Sequence, residues 1–244
     1  MKLHVIGSSS KGNGYVLTNG NETLVIEAGC HYRKVKEAIN FNVASIQAVL
    51  VSHSHSDHAA YVREYTNEGL KVIASPDVAE VYEIPSLQLL IYSSIKPSVL
   101  RAGRFQILPF HVVHDVPCYG FLIQHPDCGK IVFITDTHFS PARFKGINHY
   151  IIEANYSEAI LEQRLRDGEI NYAYYERVLR SHMSLETTIK LLKANDLTQT
   201  QSITLIHLSD GNSNEQQFQQ IIAQETGVPT YVADAGIEVN LSIF

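Results

Sequence analysis

Apolar and β-branched residues gather along the chain in short runs separated by polar turns. In the first half, Lys2–Ile6, Tyr15–Thr18, Thr23–Ile26, Gln47–Ser52 and Lys71–Ala74 predict strands. In the second half the same pattern predicts strands over Arg104–His114, Tyr119–Gln124, Lys130–Ile134, Tyr150–Glu153, Ile203–His207 and Thr230–Val232. Asn19-Gly20-Asn21 lies between two such runs and predicts a hairpin. Helical spacing is clearest in three places. Val35–Ile39 lies in one such stretch. Ser184–Ala194 sets Leu185, Ile189 and Leu192 on one face, with Ser184 near its start. Asn214–Gln224 carries Phe218, Ile221 and Ile222 and stops before Gly227-Val228-Pro229. The pattern contains no repeat, low-complexity tract or Gly/Ser linker. It predicts one domain over residues 1–244 with layered α/β packing.

One strand end carries most of the chemistry. The apolar run Ala48–Val51 leads directly into Ser52-His53-Ser54-His55-Ser56-Asp57-His58. Residues two apart at a strand end project the same way, so His53 and His55 can converge on one point. Asp57 and His58, on the first turn of the next segment, can face a second. Imidazole nitrogen and carboxylate oxygen suit zinc, manganese or iron. Further His and Asp residues stand where other apolar runs stop: His114 after Ile107–Val113, Asp136 after Ile131–Thr135, and His207 after Ile203–Ile206. Strand-end residues of this kind also cap or bind water, but their coincidence with the cluster favours a two-metal site.

Composition supports a metal and narrows the partners. Twelve of the 244 residues are histidine. Lys+Arg 19 against Asp+Glu 25 leaves a formal charge of −6, so any nucleic-acid binding needs a local source of positive charge. A hydrophobic content of 45% and a charged content of 18% are those of a soluble globular protein. Cys30, Cys118 and Cys128 form no C-x-x-C pair, and no apolar run approaches the ~20 residues of a membrane helix. A cytoplasmic protein without membrane contact is the expectation.

The order His53, His55, Asp57, His58, then His114, Asp136 and His207, resembles the metallo-β-lactamase superfamily, whose signature is H-x-H-x-D-H followed by a lone His, a lone Asp and a final His. The resemblance spans most of the chain. It implies a four-layer αβ/βα sandwich of two mixed β-sheets flanked by helices, with a dinuclear site at one edge. It further implies that His53, His55 and His114 hold one divalent ion and Asp57, His58 and His207 the other, with Asp136 bridging them. Zn²⁺ is the expected metal and Mn²⁺ the alternative.

Finer features point to one branch. Gly7-Ser8-Ser9-Ser10-Lys11-Gly12-Asn13 and His207-Leu208-Ser209-Asp210-Gly211-Asn212-Ser213 are similar to the YycJ/WalJ-type branch, regarded as nucleases. Glu153-Ala154-Asn155-Tyr156 and His182-Met183-Ser184 resemble elements of that branch and of ribonuclease Z. The resemblance implies that His182 sits near a scissile phosphate with Glu153 orienting it, and that Asp57 orients the attacking water. A residue beside a helix cap is the plainer alternative for His182, and a simple polar turn the alternative for Ser8–Asn13. One position departs from the family. Glu27 in Ile26-Glu27-Ala28-Gly29 stands where the superfamily usually has Asp, which puts the support of the metal loop in question.

The spacing between His114 and Asp136 is too short for the tRNA-gripping arm of some ribonuclease Z proteins. Asp136 replaces the cysteine of one class of true β-lactamases. A phosphodiesterase acting on DNA or RNA, with exonuclease activity, is the leading expectation. The alternative is a small-molecule hydrolase for a cyclic phosphodiester, thioester or lactone, and a third is a metal-stabilised binding protein. The segment with Tyr172, Tyr174, Tyr175, Arg164, Arg166, Arg177 and Arg180 also carries five acidic residues. It reads as a helical lid with ordinary packing. His4, His31, His111, His125, His138 and His149 read as structural or solvated.

Overall fold

The computed structural model describes residues 1–92 and 98–243. Its strands are β1 (Lys2–Ser9), β2 (Gly12–Thr18), β3 (Thr23–Ile26), β4 (Ile46–Leu50), β5 (Val72–Ala74), β6 (Leu89–Ile91) and β7 (Leu100–Ala102). They continue as β8 (Phe105–Val112), β9 (Cys118–His125), β10 (Gly129–Ile134), β11 (His149–Glu153), β12 (Ser202–Ile206), β13 (Thr230–Val232) and β14 (Glu238–Asn240). The helices are α1 (Tyr32–Ala38), α2 (Ser56–Ala59), α3 (Val62–Asn67), α4 (Pro76–Val81), α5 (Glu158–Arg166), α6 (Tyr172–Ser181), α7 (Leu185–Lys193) and α8 (Glu215–Thr226).

Two seven-stranded sheets result, in the orders β14-β1-β2-β3-β4-β5-β6 and β13-β12-β11-β10-β9-β8-β7. Each is mixed. β14 to β3 and β7 to β10 pair antiparallel, whereas β3 to β6 and β10 to β13 pair parallel. Asn19-Gly20-Asn21 forms the expected hairpin, pairing Thr18 with Thr23.

Alternation along each strand decides the layers. Leu17, Leu24, Ile26 and Leu50 face Phe105, Ile107, Phe121 and Phe133 across the sheet–sheet interface, where the Tyr15 ring meets Phe133 edge-on at 5.6 Å. The intervening residues Val16, Val25 and Val49 pack outward against Val35 of α1 and Val62 and Tyr65 of α3. Val132, Ile152 and Leu205 do the same against Leu192 of α7 and Phe218 of α8. The four layers are helix, sheet, sheet and helix, as expected.

Local chemistry sets the helix ends. Ser184 Oγ accepts from the Thr187 N–H at 3.1 Å, and Asn214 Oδ1 from the Gln217 N–H at 3.0 Å. Gly227, at φ 70°, closes α8. The three-residue strands β6, β7 and β14 and the short helices α2 to α4 are too brief to show a period, so the hydrophobic pattern does not announce them.

The parallel strands deliver the functional edge. β3 and β4 in one sheet and β10, β11 and β12 in the other all release their chains toward one side, where open α/β sheets place their ligands.

Candidate metal centre

Each ligand-type residue lies at or just beyond a strand end. β4 leads to His53 and His55, and α2 then carries Asp57 and His58. β8 leads to His114, β10 to Asp136 and β12 to His207, while β11 ends on Glu153. β8 stops at Val112, two residues before His114 and not at it. Glu27, Asp136 and His207 have φ of 66°, 40° and 54°. Left-handed backbone at a non-glycine residue costs on the order of 1–3 kcal/mol, and it persists where surrounding structure over-determines it.

The donor atoms form two principal groups, each within a 4.8 Å span: His53, His55, His114 and Asp136, and Asp57, His58, Asp136 and His207; Asp136 and His207 also lie in a third such group with Glu153 and His182. Asp136 belongs to both principal groups. Its Oδ2 lies 3.8 Å from His53 Nε2 and 3.9 Å from His114 Nε2, and its Oδ1 lies 3.4 Å from His58 Nε2. Within the groups, His114 Nε2 is 3.3 Å from His55 Nδ1, and Asp57 Oδ2 is 3.3 Å from His58 Nε2 and 3.4 Å from His207 Nε2. Donors around a tetrahedral zinc with bonds of about 2.0–2.1 Å stand roughly 3.3 Å apart.

The imidazoles are held from behind. His53 Nδ1 meets Ser52 Oγ at 2.8 Å, His114 Nδ1 donates to the Ser181 carbonyl at 2.9 Å, and His207 Nδ1 meets Glu153 Oε1 at 3.1 Å. Nε2 of His53 and His207 is buried without a hydrogen-bond partner among the described residues. An orphaned buried nitrogen costs about 1–3 kcal/mol, which a coordinated cation relieves. The residues present fit a pair of divalent ions.

Charge points the same way. Burial disfavours a charged His207, yet Asp136, Asp57 and Glu153 push its pKa up to about 10. Burial likewise opposes charge on His58, and Asp136 and Glu27 raise it well above the ordinary histidine value. Burial opposes ionisation of Asp57, but the His207 and His58 imidazoles beside it hold its carboxyl far below the carboxylate range. Carboxylates crowded around His58 and His207 thus make this an environment that favours positive charge. His53, by contrast, is driven well below its ordinary value by burial first and the neighbouring His58 second, which keeps it neutral as a ligand must be.

Glu27 reaches the loop despite its extra methylene. Its Oε2 accepts from the Ser52 N–H at 3.3 Å and lies 3.6 Å from His58 Nδ1. Its backbone there is left-handed, with φ 66°.

Glu153 and His182 meet as the resemblance implies, with Glu153 Oε1 2.7 Å from His182 Nδ1. Glu153 Oε2 accepts from the Thr137 and Met183 N–H groups, each at 3.1 Å. His182 caps the C-terminus of α6, and Ser184 caps the N-terminus of α7. His182 therefore sits in a link between two helices, with its ring directed into the site.

Two asparagines complete the centre. Asn13 Nδ2 donates to Asp57 Oδ2 at 3.3 Å and lies 3.0 Å from His58 Nε2. Asn155 Nδ2 donates to the His207 carbonyl at 2.7 Å. A chain of bonds links the two sheets: the His207 N–H donates to Ser8 Oγ (2.9 Å), Ser8 meets Tyr15 Oη (2.8 Å), and Tyr15 donates to Asn13 Oδ1 (3.3 Å). Both asparagines lie inside motifs visible in the sequence. Their roles depend on which strand ends become neighbours.

All nine site residues named from sequence meet at one edge. His111 and His138 are exposed and belong to neither donor group. A pocket of about 420 Å³ opens over the centre, lined by His55, Asp57, His114, Asp136, His182 and His207. A larger cavity of about 900 Å³ lies between α1 and the β1–β14 edge, but it contains none of these donors.

This fold and donor arrangement define a metallo-hydrolase scaffold. The family model described as the metallo-β-lactamase superfamily matches residues 10–173, and the chain belongs to that superfamily as a hydrolase. The chain is 26% identical over 263 residues to the exodeoxyribonuclease WalJ of Streptococcus pneumoniae serotype 2, covering 100% of this chain and 93% of that protein. It is 27% identical over 245 residues to the exodeoxyribonuclease YycJ of Bacillus anthracis, covering 92% and 89%. Among solved structures, the metallo-β-lactamase fold protein YhfI of Bacillus subtilis superposes with a TM-score of 0.71 at 16% identity, covering 98% of each chain.

Proposed function

We propose that this chain is a single-domain, dinuclear metal-dependent phosphodiesterase that degrades nucleic acid, DNA or RNA, from an end. The observation that carries this reading is Asp136, which turns one carboxylate oxygen toward His53 and His114 and the other toward His58. In this reading His53, His55 and His114 hold one ion and Asp57, His58 and His207 the second, with Asp136 between them. Zn²⁺ is the expected metal and Mn²⁺ the alternative. Such a pair supplies an activated water at neutral pH and offsets charge on a phosphate oxygen.

The chain's own residues then do four things. Asp57, anchored by Asn13, accepts a hydrogen bond from the attacking water and aims it. Glu153 fixes the Nδ1 proton of His182, so Nε2 faces the substrate. With Nδ1–H kept on Glu153, a His182 ring that also carries an Nε2 proton uses it to bind the phosphate or passes it to the leaving oxygen. Leu208 and Val178 line the pocket and limit water around the reacting group. The similarity to WalJ and YycJ supports nucleic acid as the substrate. Three buried free cysteines suit a reducing cytoplasm. No helix among the described residues is long and apolar enough to cross a membrane.

The modest pocket of about 420 Å³ favours a second reading, hydrolysis of a small phosphodiester, thioester or lactone on the same residues. Turnover of bis(p-nitrophenyl) phosphate, labelled single-stranded DNA, single-stranded RNA and a thioester by Zn²⁺- and Mn²⁺-loaded protein tests both. Shortening of an oligonucleotide from one end supports the nuclease. Thioester turnover with intact oligonucleotides overturns it.

A further inference from the structure

The motif after His207 does more than follow a ligand. Asn212 is fully buried, and its side chain ties two residues of the overlying helices together. Its Oδ1 accepts from Arg164 Nη1 at 2.7 Å, and its Nδ2 donates to Tyr174 Oη at 3.0 Å. Its carbonyl accepts from the Ser157 N–H at 2.9 Å, which anchors the start of α5. Gly211 provides the seat: a β-carbon there would lie 2.5 Å from Arg164 Nη1. Glu169 holds Arg164 Nε at 2.9 Å.

Arg177 lies one turn beyond Tyr174 on α6, with its guanidinium carbon 5.3 Å from the Tyr174 ring centroid. Among the described residues the ion pairs of α5 and α6 are Arg164–Glu169, Arg166–Glu162 and Arg180–Glu176, and Arg177 belongs to none of them. Arg164, Tyr174 and Arg177 all line the pocket that contains His182 and the donor residues.

We infer that Arg177, set over Tyr174, and Arg164, joined to Tyr174 through Asn212, form a subsite for a second phosphate group of a nucleic-acid strand whose scissile phosphate lies at the metal centre. The inference rests on the nuclease reading above. Guanidinium groups match phosphate oxygens in pairs, and a guanidinium already held in place loses little freedom on binding. In a chain of net charge −6, Arg177, with the Glu169-paired Arg164 beside it, supplies local positive charge next to the donor residues, as strand binding requires. The second phosphate is either a terminal phosphomonoester or the neighbouring phosphodiester, since both present the same oxygens.

The test uses metal-loaded wild type, Arg177→Ala, Arg177→Lys and Gly211→Ala, with metal content measured in each. Substrates are bis(p-nitrophenyl) phosphate and single-stranded oligonucleotides with 5′-phosphate, 5′-hydroxyl or 3′-phosphate ends. Arg177→Ala is expected to raise the oligonucleotide KM about tenfold, far more than it lowers kcat. It should lower the ratio of oligonucleotide to bis(p-nitrophenyl) phosphate kcat/KM by a similar factor, and the salt slope of binding by about 0.7. Arg177→Lys should recover part of the loss. Gly211→Ala, which displaces Arg164 without removing it, should move KM in the same direction as Arg177→Ala.

A wild-type preference for one phosphorylated end that vanishes in Arg177→Ala identifies the terminal phosphate. An equal loss on all ends identifies the neighbouring diester. Loss of both substrate types in equal proportion, or an unchanged oligonucleotide KM and salt slope, overturns the subsite while the nuclease reading stands. Wild type that hydrolyses only small substrates overturns both.

Discussion

Glu153 grips His182 through Nδ1 at 2.7 Å from a position with no solvent exposure, and the two residues come from different elements. The same carboxylate oxygen lies 3.1 Å from His207 Nδ1, so one buried side chain supports both imidazoles. Burial disfavours its charge, but His182 and His207 hold its pKa below the usual glutamate value. Replacing His182 with Ala is expected to lower kcat by about 10²–10⁴-fold with both metals retained. Glu153→Gln keeps an oxygen for the Thr137 and Met183 N–H donors only by turning its amide N–H₂ toward His182 and His207 Nδ1. It should lose about 10–100-fold in metal affinity as well as activity. Steady-state turnover with elemental analysis of each variant checks both outcomes. Undiminished activity in His182→Ala removes that residue from the mechanism.

Asp136 is common to both donor groups, so Asp136→Ala is expected to lose both ions together, not one. Chelation of wild type should abolish activity, and Zn²⁺ or Mn²⁺ should restore it. At about 1,000 times Kd, one ion adds roughly 4 kcal/mol, or on the order of 8–16 °C in Tm for a chain of this size. Calorimetry with and without metal measures the shift. A stoichiometry of one ion per chain in wild type contradicts the dinuclear reading.

Gly29 follows the left-handed Glu27 at close quarters with the ligand loop. A β-carbon on Gly29 would fall 1.7 Å from the Asp57 carbonyl and 2.8 Å from the Asn13 nitrogen. Both neighbours are backbone, so neither can rotate away. Gly29→Ala is expected to destabilise the fold by about 3 kcal/mol or more and to weaken metal binding by moving Asp57. Urea unfolding followed by metal titration tests this. A variant as stable as wild type contradicts the close approach.

His149 supplies a pH dependence away from the metal centre. It is buried at the start of β11 with Nδ1 on Ser202 Oγ at 2.8 Å, and burial lowers its pKa from 6.5 to about 4. The unfolded chain therefore binds a proton that the folded chain refuses between these values. His149 costs no stability above pH 6.5, then destabilises progressively as pH falls toward 4, by about 3 kcal/mol in total. Urea unfolding of wild type and His149→Gln at pH 8, 6 and 5 checks the sign. The wild-type advantage at pH 8 should shrink as pH falls, and an advantage that grows contradicts it.

The chain itself determined most strands of both inner layers, because their residues alternate or are apolar over several positions, whereas the three-residue edge strands β6, β7 and β14 left no such pattern. It also determined the ligands His53, His55, Asp57 and His58, because a strand end followed by one helical turn fixes their mutual reach locally. His114, Asp136 and His207 were legible only as a set of strand ends. Their convergence required the two sheets to face each other.

Tertiary structure alone decided the rest. Asn13 and Asn155 became supports only when β2 and β11 met α2 and β12. Glu27 reached Ser52 and His58 through a left-handed backbone that no spacing rule reveals. Asn212 joined Arg164 to Tyr174 across 48 and 38 residues of chain. Local patterns specify which way a side chain points from its own element. Only the packing of the sheets, driven by burial of their inner faces, specifies which side chains then share a site.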